Sequence, residues 1–281
     1  MSKISWTDIQ FKRLKELNAD PKTMSTFFDT NEQRNHSYQT LEKKLVKLEK
    51  SRLNEFLTNQ LQPKIYKLEC SLTKILNQQG FSRVTTPTII SKTQLARMSI
   101  YEQHPLFDKV FWINARQCLR PMLAPNLYRL MYELGRLGKK PVRFFEIGPC
   151  FRKESDSAQH NNEFTMLNLV EMGLPRENRH RRLMELGRLI ADTAGLKGYA
   201  FEKESSVVYG DTIDIVCGYD KLEIASGAMG PHPLDHAWRI IDTWVGLGFG
   251  LERMVMMAEG SDSIGKWGKS LAYLDGIRLN F

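Results

Sequence analysis

From Thr40 onward the stretch LEKKLVKLEKSRLNEFL sets Leu41, Leu45, Leu48, Leu53, Phe56 and Leu57 close to helical spacing, with lysines and glutamates on the opposite face. The pattern predicts a basic amphipathic helix. Pro63 suits a first helical turn, and Ile65, Leu68, Leu72, Ile75 and Leu76 recur at intervals of three and four until Gly80 offers a left-handed stop, so a second helix is expected to end there. FSRVTTPTII follows, rich in β-branched residues; its Pro87 cannot donate to a ladder and belongs at an edge or a strand end. Residues 111–113 (FWI) predict a short strand, and PNLYRLMYELGRLG a helix with Leu127, Leu130, Met131 and Leu134 on one face and a stop at Gly138.

VRFFEIGPCFR and EFTMLNLVEMG, separated by the polar ESDSAQHNN, predict a long antiparallel hairpin. A further helix is expected over 176–194 and short strands near 200–208, 212–217 and 222–229. A glycine-rich strand WVGLGFG then runs into the helix LERMVMMAEG. Residues 1–35 have only Leu14, Leu17, Phe27 and Phe28 as apolar anchors, which predicts short helices or an arm. Hairpins outnumber βαβ units in the second half, so the expected fold class is α+β, a mainly antiparallel sheet flanked by helices, and parallel dinucleotide-binding or P-loop folds are disfavoured.

Composition narrows the class. At 281 residues, 42% hydrophobic and 26% charged, the chain can bury a large core, and its length allows two domains. No window approaches 18 uninterrupted apolar residues and the start carries no apolar stretch, so neither a membrane span nor a secretory signal is expected, and a cytoplasmic location is. Cys70, Cys118, Cys150 and Cys217 form no CxxC pair, which argues for reduced thiols rather than a thiolate metal site. Residues 1–90 hold 15 basic and 9 acidic side chains, so six of the eight net positive charges fall in one third of the chain. A phosphate-backbone partner would reward that asymmetry, though a basic surface can also serve solubility alone.

Two segments carry candidate chemistry. In FRKESDSAQHNNEF, Arg152 and Glu154 lie two apart and would share one strand face, with His160 and Phe164 beyond a loop. A bare R-x-E arises by chance about once in such a chain and reads equally as a cross-strand ion pair. An arginine aimed from a strand into a cleft is, alternatively, a bidentate phosphate clamp, and an aromatic opposite can stack on a base. In GLGFGLER, Gly246, Gly248 and Gly250 alternate, which strips one strand face bare for a flat ligand, and Arg253 follows in the first helical turn. Such a spacing should arise by chance in only about one chain of this size in several thousand.

These segments, preceded by a helix, a strand and Pro87, resemble the three ordered motifs of the class II aminoacyl-tRNA synthetases. RPMLAPNLY at 120–128, FEIGPCFRKES at 145–155, EFTMLNLVEMG at 163–173, VYGDTIDI at 208–215 and GFGLER look like the catalytic domain of the pyrrolysine branch, in a compact form without a separate N-terminal tRNA-binding domain. The resemblance implies a basic, tRNA-contacting helical region over 1–60, a catalytic domain over 61–281, a homodimer, and use of ATP with Mg²⁺. It implies Arg152 and Arg253 on the ATP phosphates with His160 beside them, adenine between Phe164 and Arg253 with Glu154 at its edge, and Glu223 and Ser226 on the metal.

Ala124, Leu127, Tyr128, Met131, Val170, Tyr209 and Trp244 would line the amino-acid pocket with Asn168 as its one amide and no carboxylate, which suits pyrrolysine or another ε-N-acylated lysine. Leu127 and Met131, four apart, would also fit a plain core stripe. An aromatic amino acid such as phenylalanine is the nearest alternative substrate; a tRNA-independent ligase and a non-catalytic RNA-binding paralogue are the others. The chain departs from the resembled pattern at Asn161 and Asn162, at Ala225 and Gly227 around Ser226, and at Leu247, changes expected to touch the ATP loop and the pocket floor.

Overall fold

Strands such as VRFFEIGPCF carry apolar residues at both parities and need cover on two faces, which calls for a sheet between two helical layers. The computed structural model describes residues 3–154 and 161–281. In chain order its helices are α1 (Asp8–Glu16), α2 (Pro21–Met24), α3 (Asn31–Thr58), α4 (Lys64–Gln78), α5 (Lys92–Arg97), α6 (Ala124–Gly135), α7 (Arg179–Thr193), α8 (Asp235–Trp238) and α9 (Leu251–Ala258). The strands are β1 (Ser82–Arg83), β2 (Ile89–Ser91), β3 (Gln117–Leu119), β4 (Val142–Phe151), β5 (Glu163–Met172), β6 (Tyr199–Ser206), β7 (Gly210–Cys217), β8 (Leu222–Gly230), β9 (Trp244–Gly250), β10 (Tyr273–Leu274) and β11 (Ile277–Arg278). The residues form two compact units, one running through Pro63 and including Ser270–Phe281, the other Lys64–Lys269.

The larger unit is built on a seven-stranded sheet in the order β1-β4-β5-β9-β8-β7-β6, in which only β1 and β4 run parallel. Parity sorts its two faces. Phe145, Leu167, Leu169, Val245, Leu247 and Phe249 meet α4, α7 and α9 through Leu72, Leu76, Leu183, Leu186, Leu251 and Met254. On the other face Phe144, Cys150, Val170, Met172 and Trp244 meet α5, α6 and α8 through Leu95, Leu127, Met131 and Trp238. The expected antiparallel sheet and its hairpins are present. The strand expected at 111–113 is not: Trp112 makes only an isolated bridge to Cys118, and the short strand is β3, paired with β2. The helix expected to stop at Gly138 ends at Gly135, and α4 ends at Gln78, with Gly80 in the left-handed turn at φ 79°.

In the smaller unit α3 begins nine residues before the basic stretch, and α1 and α2 supply the short helices expected of residues 1–35. Trp6, Leu14, Leu17, Phe28 and Leu45 form its core. The stripe on α3 differs from expectation. Leu48 and Leu57 are exposed, whereas Glu49 is fully buried beside Leu45 and Phe56. Spacings of four and eleven from Leu45 pass through Glu49 and Phe56, and the buried carboxylate is tolerated because Asn18, Arg52 and the Arg278 N–H all donate to it.

Candidate active site

The glycine strand is the floor of the site. On β9, Val245, Leu247 and Phe249 are buried in one core while Gly246, Gly248 and Gly250 leave the opposite face open, as the alternation predicts. A Cβ on Gly248 would lie 3.1–3.2 Å from the Asn168 amide on β5, so the bare backbone gives that side chain its room. Of the departures at Ala225, Gly227 and Leu247, the Ala225 and Leu247 side chains pack into the core. Gly227 pairs with Leu247, whose Cδ2 occupies the space a Cβ at 227 would need, 2.7 Å away, so the two changes compensate within the core. Gly227 and Leu247 nonetheless belong to the lining of the cavity on this floor, as expected of the changes there.

Glu223 and Ser226 stand three apart and would face opposite ways on a regular strand. The β7–β8 register passes from Val216–Glu223 to Ile215–Ala225, leaving Ile224 as a bulge, and both side chains reach the same cavity. Ser226 Oγ donates to Asp214 Oδ1 at 2.6 Å.

That cavity measures about 430 Å³. Ala124, Leu127, Tyr128 and Met131 come from α6, Asn168 and Val170 from β5, Trp244 from β9 and Tyr209 from the β6–β7 turn, so all eight residues expected in the pocket converge. Tyr128 stacks on Trp238 at 5.6 Å and meets the edge of Trp244 at 5.8 Å; Trp244 Nε1 in turn donates to both oxygens of buried Asp235 at 3.0 and 3.1 Å. Burial pushes the Asp235 carboxyl above its usual range and the Tyr209 phenol upward too. Asn168 Oδ1 is buried with no hydrogen-bond partner among the described residues. The expectation of a cavity without carboxylates holds only for its apolar part: Glu154, Asp214 and Glu223 also line it, with Glu154 paired to Lys109 at 2.8 Å.

Glu154, Glu223, Arg152, Lys109 and Gly248 also line a second cavity of about 310 Å³, completed by Asn161, Phe164, Glu252 and Arg253. Arg152 and Glu154 do not share a strand face, because β4 ends at Phe151. Asn162 holds both, its carbonyl accepting from Arg152 N and its Oδ1 from Glu154 N, each at 2.9 Å. Arg152 Nε donates to Pro121 O at 2.8 Å, and its guanidinium lies 5.3 Å from the Phe164 ring centre. Burial lowers the Arg152 pKa, a cost that an anion in the cavity would offset. Arg253 donates to Glu223 O at 2.9 Å. His160 lies outside the described residues.

Reasoning from sequence missed Lys109, Asp214 and Glu252. Asn161, singled out as a departure in the ATP loop, lines the smaller cavity, and its Nδ2 is buried without a partner among the described residues. Glu252 accepts from Thr165 N at 2.7 and 2.9 Å, and burial pushes its carboxyl up to about 7. A polar cavity with arginines, an aromatic ring and paired oxygen donors, opening onto an apolar one, can hold a polyphosphate nucleotide beside an apolar carboxylic acid.

Residues 36–194, more than half of the chain, match the family profile of the tRNA synthetases class II (D, K and N). The chain belongs to the class II tRNA synthetases. Among synthetases of known structure it is similar to the pyrrolysyl-tRNA synthetase of Desulfitobacterium hafniense, 52% identical over 99% of each chain with a TM-score of 0.91. A second structure of that organism's pyrrolysyl-tRNA synthetase is 51% identical over 99% of this chain and 96% of its own, with a TM-score of 0.88. A lysine–tRNA ligase of Blochmanniella floridana is 27% identical over 187 residues, and this chain spans about a third of its length (34%).

Proposed function

We propose that this synthetase activates pyrrolysine, or a similar lysine acylated at its ε-nitrogen, with ATP and transfers it to the 3′ end of a cognate tRNA. The observation that carries the choice of substrate is the unpartnered Asn168 Oδ1 inside a cavity lined by Leu127, Met131, Val170 and Trp244. An ε-amide N–H would satisfy that oxygen, whereas a phenylalanine ring would leave it bare at a cost of about 1–3 kcal/mol.

The substrate carboxylate attacks the α-phosphorus of ATP, pyrophosphate leaves, and a 3′-terminal hydroxyl of the tRNA then displaces AMP from the carbonyl. No protein nucleophile takes part. Arg152, at the junction of the two cavities, holds the α-phosphate and the charge that develops on it; Arg253 holds the γ-phosphate, and with Phe164 encloses the adenine, whose edge Glu154 reads. Glu223 and Ser226, brought to one face by the bulge at Ile224, are oxygen donors that fit a hard cation retaining phosphate and water ligands, and they would hold Mg²⁺. When bound, Mg²⁺ supplies positive charge beside the phosphates.

On the N-terminal unit Lys43, Lys44 and Lys47 are exposed on α3, while Lys50 packs over Phe281 and Arg52 pairs with Glu49, so the first three are the cations to meet tRNA phosphates. The protein works in the cytoplasm as a homodimer, with β1, hydrogen-bonded on one side only, near the subunit contact. Charging of the cognate tRNA with a panel of ε-N-acyl lysines, lysine and phenylalanine tests the function: acyl lysines should be esterified, and charging by phenylalanine alone would overturn the assignment.

A further inference from the structure

Two His-Pro-Leu segments, His104–Leu106 and His232–Leu234, fold alike at separate places in the larger unit. In each, the leucine N–H donates to Nδ1 of its own histidine, Leu106 at 3.0 Å and Leu234 at 3.2 Å, and the intervening proline has no N–H to compete. A ring nitrogen that accepts carries no proton, so the neutral imidazole is protonated at Nε2. Both Nε2 atoms lie against carbonyls of one short segment, His104 at 3.0 Å from Val207 O and His232 at 2.7 Å from Tyr209 O. The local bond thus fixes each ring as a donor to that segment.

Residues 207–209 form the tip of the β6–β7 hairpin, and the sheet supports it weakly. The β7–β8 ladder stops at Ile213–Gly227, although β7 runs back to Gly210 alongside β6 and β8 runs on to Gly230 alongside β9. Ser206 Oγ accepts from the Val208 and Tyr209 N–H groups, which shapes the turn without anchoring it. Val207 is 68% exposed, whereas Tyr209 lines the larger cavity.

We propose that His104 and His232 are positioning residues: they clasp the hairpin tip from two segments and set Tyr209 over the amino-acid cavity. The clasp stands on its hydrogen bonds alone; its effect on substrate rests on the proposed use of that cavity. Amide hydrogen exchange of the ligand-free protein, in wild type and in His104→Ala, His232→Ala, His104→Gln and His232→Gln, tests the first part. Exchange at residues 208–210 should rise about tenfold in each alanine variant, remain unchanged along β4 and β5, and return close to wild type with glutamine, whose amide nitrogen can donate to the same carbonyl. Amino-acid-dependent pyrophosphate exchange tests the second: the amino-acid KM should rise about fivefold in each alanine variant with the ATP KM unchanged. Unchanged tip exchange in both alanine variants, or acceleration spread over β4 and β5, overturns the clasp whatever the substrate. Faster tip exchange with an unchanged amino-acid KM overturns the placement of Tyr209 over the substrate.

Discussion

The two cavities share Arg152, Glu154 and Gly248 yet are assembled in opposite ways. The smaller draws most of its lining from two local stretches, residues 152–166 and 248–253, as the proposed triphosphate recognition would require, with cations and an aromatic plane at fixed offsets on rigid backbone. The larger collects α6, β5, β8, β9, a hairpin tip, Asp214 of β7 and the segments around Leu106 and Arg152, as recognition of an apolar side chain by shape would allow. Charge recognition therefore concentrates into a motif, and shape recognition disperses into what looks like ordinary core.

Replacing the shared arginine should strike hardest. Arg152→Ala removes a charge-assisted clamp from the junction and should cost about 3 kcal/mol, on the order of a hundredfold in pyrophosphate exchange with every amino acid tested. Exchange within about threefold of wild type would detach Arg152 from the phosphates. Glu252, in the smaller cavity only, acts on stability. Its folded carboxyl titrates near 7 and its unfolded one near about 4.3, so between those values the folded state binds more protons and stability falls as pH rises. The loss should reach about 3–4 kcal/mol by pH 8 and vanish in Glu252→Gln; denaturant melts whose stability falls equally from pH 4 to 8 in both proteins would contradict it.

Gly248→Ala probes the wall between the cavities. Its Cβ would press on the Asn168 amide, which must give by a few tenths of an ångström, and the amino-acid KM should rise several-fold, about 1 kcal/mol. A larger rise in the ATP KM would assign Gly248 to the nucleotide alone. Replacing Lys43, Lys44 and Lys47 by alanine touches neither cavity. It should flatten the logarithmic salt dependence of tRNA binding by roughly two to three units and leave pyrophosphate exchange intact; an unchanged slope would make that face of α3 merely solvated.

Legibility followed the same division. The glycine alternation on β9, the β4–β5 hairpin and the positions of Arg253 and Phe164 were readable because each depends on spacing within one element. Glu223 and Ser226 could be paired only through resemblance, since their separation contradicts strand parity until the bulge at Ile224 is seen. Arg152 and Glu154 left their strand because β4 stops one residue before them, a boundary no periodicity marks. Glu49 disrupted the apolar reading of α3 because its burial depends on donors from Asn18 and Arg278, far away in sequence. Lys109 and Asp214 had no local signal, their roles arising from a cross-loop ion pair and a cross-strand hydrogen bond.

The division of labour is tested most directly by pyrophosphate exchange of wild type and Asn168→Ala, each with an ε-N-acyl lysine and with phenylalanine. Loss of the buried acceptor should raise the acyl-lysine KM about tenfold while the ATP KM stays within about twofold and phenylalanine is unaffected or improved. Equal losses for both amino acids, or a matching rise in the ATP KM, would show that Asn168 supports the sheet rather than reading a substrate amide.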